Sequence, residues 1–135
     1  MAIGVDDPVF IKVRDVLTQA LAVDEEAVTP EARLNKDLGA ESIDYLDITF
    51  QLEKSFGIKI PTGEMIPDSV FSNPEFVNQE GKVTPAGIAE LKNRMPFADL
   101  TGFEQDPNIN NFRDVFTVET ICNYVKTKLP GGTPA

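Results

Sequence analysis

One serine in this 135-residue chain stands where it could carry covalent chemistry. Ser42 follows Asp37-Leu38-Gly39-Ala40-Glu41 and precedes Ile43-Asp44-Tyr45-Leu46-Asp47, so its hydroxyl comes after a glycine turn and between carboxylates. The first N–H groups of a helix lack intrahelical partners and form the positive end of its dipole. A phosphate ester on Ser42 would lie where negative charge is stabilised. A serine here is equally a plain N-cap, whose oxygen serves the same N–H groups. Other reactive side chains are few. With no histidine, the chain has no base for a Ser-His or Cys-His pair and no imidazole for a metal. Its single cysteine, Cys122, can build neither an internal disulfide nor a thiolate zinc site, and reads as a small core residue. Gly39-Ala40-Glu41-Ser42 lacks the spacing of a hydrolase nucleophile elbow, and no calcium-loop pattern occurs. No metal and no catalytic residue is expected.

Three helices must position this serine. The first should open with Asp7 as N-cap and Pro8 at the first helical position. Val9, Phe10, Val13, Val16, Leu17, Ala20 and Leu21 then form an apolar face at helical spacing, as far as Val23. Val28, Leu34 and Leu38 are isolated apolar residues in the following loop and should fasten it to the core. The second helix should start at or beside Ser42 and run to Phe56, with Gly57 as a left-handed residue after its end. At 100° per residue, Ile43, Tyr45, Leu46, Phe50, Leu52 and Phe56 cover about half its circumference, which suits a central helix. Asp44, Asp47, Gln51, Lys54 and Ser55 fall opposite. The last helix has Thr117 as N-cap, with Val118, Ile121, Cys122, Val125 and Leu129 on its buried side, and Pro130-Gly131-Gly132 leading into a loose tail.

Residues 62–116 have a different texture, holding six of the nine phenylalanines and five of the ten prolines. The stretch is too apolar for a disordered linker and too broken for one long helix. One helix is expected inside it, from Thr84 as N-cap and Pro85 to Met95-Pro96, with Ile88 and Leu91 apolar. The phenylalanines should make a small satellite core against the other helices. No strand and no internal repeat is evident.

Asp-Leu-Gly-Ala-Glu-Ser-Ile-Asp at positions 37–44 closely resembles the attachment motif of acyl carrier proteins, in which such a segment opens the second helix. The resemblance extends over Leu52-Glu53 to Phe56, Ile58-Lys59-Ile60-Pro61 and Thr117-Val118 to Val125. It implies an all-α, acyl-carrier-like four-helix bundle formed by residues 1–61 and 117–135. Residues 62–116 would be an inserted helical and loop subdomain in place of the short third helix, for which Asn111 to Phe116 is the candidate segment. It further implies that a phosphopantetheinyl transferase attaches phosphopantetheine covalently to Ser42, and that acyl groups ride on the arm's thiol as thioesters. The pathway would be a specialised one of fatty-acid, lipid or polyketide synthesis. Glu41, Ile43 and Lys54 depart mildly from the usual pattern. A carrier of the peptide-synthesis type and an unmodified interaction module with the same fold are the competing readings; Ala40-Glu41 fits the acyl type better.

Charge placement bears on partners. Between Lys36 and Lys54 lie five acids and no base, and Glu41, Asp44 and Asp47 recur every three residues beside Ser42. They are candidate docking residues for acyl-loading and acyl-transfer enzymes with basic surfaces; a solvated helix face is the plainer alternative. A net charge of −10 disfavours nucleic acid and anionic membranes. No apolar run is long enough to span a bilayer, and residues 1–10 lack the pattern of a secretory signal, so a cytoplasmic monomer is expected. Ile43, Leu46, Phe50, Ile60 and Ile121, read as core residues, are candidates to line an interior acyl cleft. The inserted stretch, with nine acids and four bases, is no basic clamp; it is expected to restrict partners or shield the acyl chain.

Overall fold

In the computed structural model, which describes residues 4, 6–61, 63–65 and 67–129, the backbone forms helices and loops without a named strand among those residues. Helix α1 spans Pro8–Leu21, α2 Ser42–Phe56, α3 Pro85–Arg94, α4 Thr101–Gln105 and α5 Val118–Lys128. Short 3-10 turns lie at Glu25–Ala27, Asp68–Ser72 and Ile109–Val115. The segment expected to stand for a third carrier helix thus falls in a 3-10 turn that leads directly into α5.

The start signals act as their chemistry dictates. Asp7 accepts the Val9 N–H at 2.8 Å, Thr84 accepts from Gly87, and Thr117 accepts from Thr120. Each removes one orphan donor from a first turn. Gly57 ends α2 at φ 66°, a left-handed conformation in which a Cβ would be strained. Helix α1 buries Val9, Phe10, Val13, Val16 and Leu17, and packs against both α2 and α5. Val28, Leu34 and Leu38 are buried, so the loop between α1 and α2 is fastened to the core as its pattern required.

The inserted stretch does not form a satellite. Leu91, Met95, Leu100, Phe103, Phe112 and Phe116 belong to the same buried cluster as Leu34, Ile48, Leu52 and Ile121. Phe112 organises its aromatic part, meeting Phe71, Phe103 and Phe116 edge-on at centroid distances of 4.6, 5.8 and 5.3 Å. Phe97 meets Tyr124 of α5 in the same way at 5.0 Å. Such edge-to-face pairs add to area burial, and the Phe97 pair joins the insertion to α5 itself.

Two polar links fix the ends of the insertion. Near its start, Glu64 Oε1 accepts the Tyr124 hydroxyl at 2.7 Å and the Lys128 ammonium at 2.6 Å. At its end, Leu34 N–H donates to Phe116, Val118 N–H to Ala32 and Glu119 N–H to Pro30. Residues 130–135, where a loose tail was expected, lie outside the described residues.

Candidate functional site

The loop before α2 is held from several sides. Arg33 N–H donates to Asp37 Oδ2 at 2.7 Å, Ala40 N–H to Leu34 O at 2.8 Å and Gly39 N–H to Asn35 O at 3.1 Å. Gly39 has φ +74°, so the turn before Ser42 needs a residue that tolerates the left-handed region. Asp114 ties this loop to the insertion, accepting the Asn35 amide and the Lys36 ammonium, both at 2.9 Å. Burial pushes the Asp114 carboxyl up, but those two donors outweigh it and leave it below the ordinary carboxylate value.

Ser42 is the first residue of α2, and the N-cap position falls on Glu41. The capping role open to Ser42 therefore belongs to its neighbour; the Ser42 side chain itself lies outside the described part. Glu41 N–H donates to Asp44 Oδ2 at 2.7 Å, the return half of a capping box. Asp44 is thus half-buried and engaged at the helix start, whereas Glu41 and Asp47 are exposed. Asp47 accepts the Gln51 side-chain amide at 3.0 Å along the helix surface. Two other acids of the cluster serve the backbone. Asp37 holds the loop, and Glu53 accepts the Ile60 N–H at 2.8 Å.

The apolar candidates separate into two groups. Ile60 and Ile121 are buried. Ile43, Leu46 and Phe50 are 76%, 77% and 58% exposed, so they stand on the surface and do not line the interior. Helix α2 packs instead through Tyr45, Ile48 and Leu52, at 7%, 0% and 0% exposure. The wide apolar arc read from the sequence is two stripes, and Ile48, which that arc left out, belongs to the inward one. The exposed stripe begins beside Ser42 and recurs at Leu46 and Phe50, one and two turns on. Lys54 lies over the Phe50 ring at 5.4 Å. A shallow depression of about 300 Å³ continues the stripe between Phe50, Glu53, Lys54, Gly57, Ile58 and Lys59.

Cys122 is buried, and burial pushes its thiol up to about 12, so it stays protonated and unreactive near neutrality. Among the described residues, no group of His, Cys, Asp and Glu side chains could hold a metal ion, and no helix is long and apolar enough to cross a membrane.

The arrangement is that of a helical carrier: a serine opening a central helix, acids at that opening, and an apolar stripe running away from it. The phosphopantetheine attachment site family matches residues 12–69, which include most of α1 and all of α2. The acyl carrier protein AcpXL of Brucella melitensis is 39% identical over 84 residues, covering 62% of this chain and 81% of the relative. AcpXL of Rhizobium meliloti gives the same identity over 79% of its length, and the acyl carrier protein of Thermotoga maritima is 39% identical over 59 residues, 44% of this chain and 73% of that protein. The chain belongs to the acyl carrier protein family. It is a carrier rather than an enzyme, and its prosthetic group is a covalently attached phosphopantetheine. No solved structure matches it.

The residues present fit that group. A phosphate at position 42 would meet the positive end of a 15-residue helix. One turn on, the Tyr45 hydroxyl is buried with no hydrogen-bond partner among the described residues, and so offers a donor. When bound, the group supplies the thiol that holds acyl chains as thioesters.

Proposed function

We propose that Ser42 is the attachment residue and that the outer face of α2 is where partner enzymes engage the carrier. The exposed stripe of Ile43, Leu46 and Phe50, starting beside Ser42, carries this reading. Three large apolar side chains on one helix face stay mostly exposed, while Tyr45, Ile48 and Leu52 on the opposite face do the packing. An exposed apolar patch of this kind is a contact surface when rimmed by polar groups. Glu41 and Asp47 supply the acidic rim, with Asp44 behind them at the helix start. Lys and Arg on a phosphopantetheinyl transferase, and on acyl-loading and acyl-transfer enzymes, would steer to these acids. The desolvated stripe would then supply most of the affinity. A buried free cysteine is compatible with the reducing cytoplasm as the place of work.

Residues 62–116 support a narrower claim of the same kind. They cover the side of α5 that carries Tyr124 and leave the outer stripe of α2 bare. The insertion therefore limits which enzymes can approach from its own side, and a specialised set of acyl-transfer partners is the consequence.

Incubation with a promiscuous phosphopantetheinyl transferase and coenzyme A, followed by intact-mass measurement and peptide mapping, tests the assignment. The arm's mass should appear on the peptide holding Ser42 and be lost in Ser42→Ala. Its appearance on another residue, or its persistence in that variant, rejects the reading.

A further inference from the structure

Arg113 sits at the end of the inserted stretch, in the Ile109–Val115 turn, with its guanidinium carbon 5.4 Å from the centre of the Tyr45 ring. Helical side chains lean back toward the N-terminus, over the turn three to four residues earlier. Tyr45 therefore covers the turn that opens with Ser42, and it brings Arg113 to that same end of α2. The nearby acids are already engaged: Asp114 by Asn35 and Lys36, Asp44 by Glu41 N–H, and Asp37 by Arg33 N–H. Arg113 is exposed and makes no salt bridge among the described residues. The hydroxyl of that same tyrosine is buried without a hydrogen-bond partner, in a residue only 7% exposed. A chain of net charge −10 thus leaves an arginine and the hydroxyl of its ring partner both without an acceptor among the described residues.

We infer that Arg113 is a positioning residue for the arm: its guanidinium holds the phosphodiester formed on Ser42, with the Tyr45 ring as its platform. The inference rests on Ser42 being the attachment residue. A guanidinium fork matches two phosphate oxygens at once, which an ammonium cannot do. Exposed ion pairs are weak when their partners must find each other. Here the phosphate would be tethered one helical turn from Tyr45, the ring partner of Arg113, so its effective concentration is high and a weak contact is still populated. The first segment of the arm then lies against the insertion, and its thiol end starts from one side of the carrier.

Protein labelled with ¹⁵N at arginine, compared before and after loading with coenzyme A and a phosphopantetheinyl transferase, provides the test. The Arg113 Nε–H resonance, assigned through Arg113→Gln, should move on loading and exchange more slowly with water, while those of Arg14, Arg33 and Arg94 stay in place. The ³¹P line of the arm should shift in Arg113→Gln and return only part of the way in Arg113→Lys, with circular dichroism unchanged throughout. If mass mapping places the arm on Ser42 and yet the Arg113 resonance and the ³¹P line do not move, the inference is overturned and the carrier assignment stands. An arm found on another residue removes both.

Discussion

Helix α2 carries two apolar stripes of similar composition, about 160° apart around its axis. Tyr45, Ile48 and Leu52 face α1 and the core; Ile43, Leu46 and Phe50 face outward. Nothing in residue type separates them, since each has an isoleucine, a leucine and an aromatic ring at helical spacing. What separates them is the rest of the chain: α1 and the insertion build a core on one side only. The inner stripe holds the fold together, and the outer one is left exposed.

The strongest way to break this comparison is Leu52→Ala against Leu46→Ala. Truncating the fully buried Leu52 should cost about 2–5 kcal/mol of unfolding free energy, whereas Leu46→Ala should stay within about 0.5 kcal/mol; urea titrations read both, and equal losses would erase the distinction. Next in size, Leu46→Asp or Phe50→Ala should lower kcat/KM for arm transfer by about tenfold, as expected for losing one well-desolvated contact, with the urea midpoint unmoved. Tyr124→Phe should cost about 1 kcal/mol by removing a hydrogen bond to a carboxylate, and transfer should not respond.

A pH titration sharpens the inner side further. The Lys128 and Tyr124 hydrogen bonds hold the Glu64 carboxyl below its ordinary value. Its contribution to stability is therefore present above the unfolded-state value, about 4.3, and lost as pH falls through the lower folded value. Glu64→Gln should flatten the acid limb of the stability profile and leave the neutral-pH transfer rate alone. The smallest expected effect belongs to the outer rim. Asp47→Lys should slow transfer a few-fold at low salt, and the difference should vanish at high ionic strength.

Helix ends were legible because their signals are local. Asp7-Pro8, Thr84-Pro85 and Thr117 each sit where the structure starts a helix, and α2 spans Ser42–Phe56 as its pattern required. The inward face of α2 was not legible. Ile48 lies next to Asp44 on the helical wheel and passed for part of the polar side. Ile43, Leu46 and Phe50 passed for core because apolar type was the sole guide, and neither assignment can be made without knowing where α1 and α5 pack. The same limit hid Glu64, whose partners Tyr124 and Lys128 lie 60 and 64 residues away. Of the candidate docking acids, spacing put Glu41, Asp44 and Asp47 together, but could not show that Asp44 closes a capping box. Arg113 gave no signal at all, since a lone arginine among turns acquires meaning only when its ring partner is known.

The backbone bonds that join residues 30–34 to residues 116–119 have an engineering corollary. The segment that presents Ser42 is fastened to the start of α5 directly, downstream of everything inserted. Lengthening the exposed turns of the intervening chain changes its loop-closure entropy only logarithmically, while this fastening keeps the start of α2 in register. The exposed turns of the extension are therefore a natural place to graft a new recognition surface.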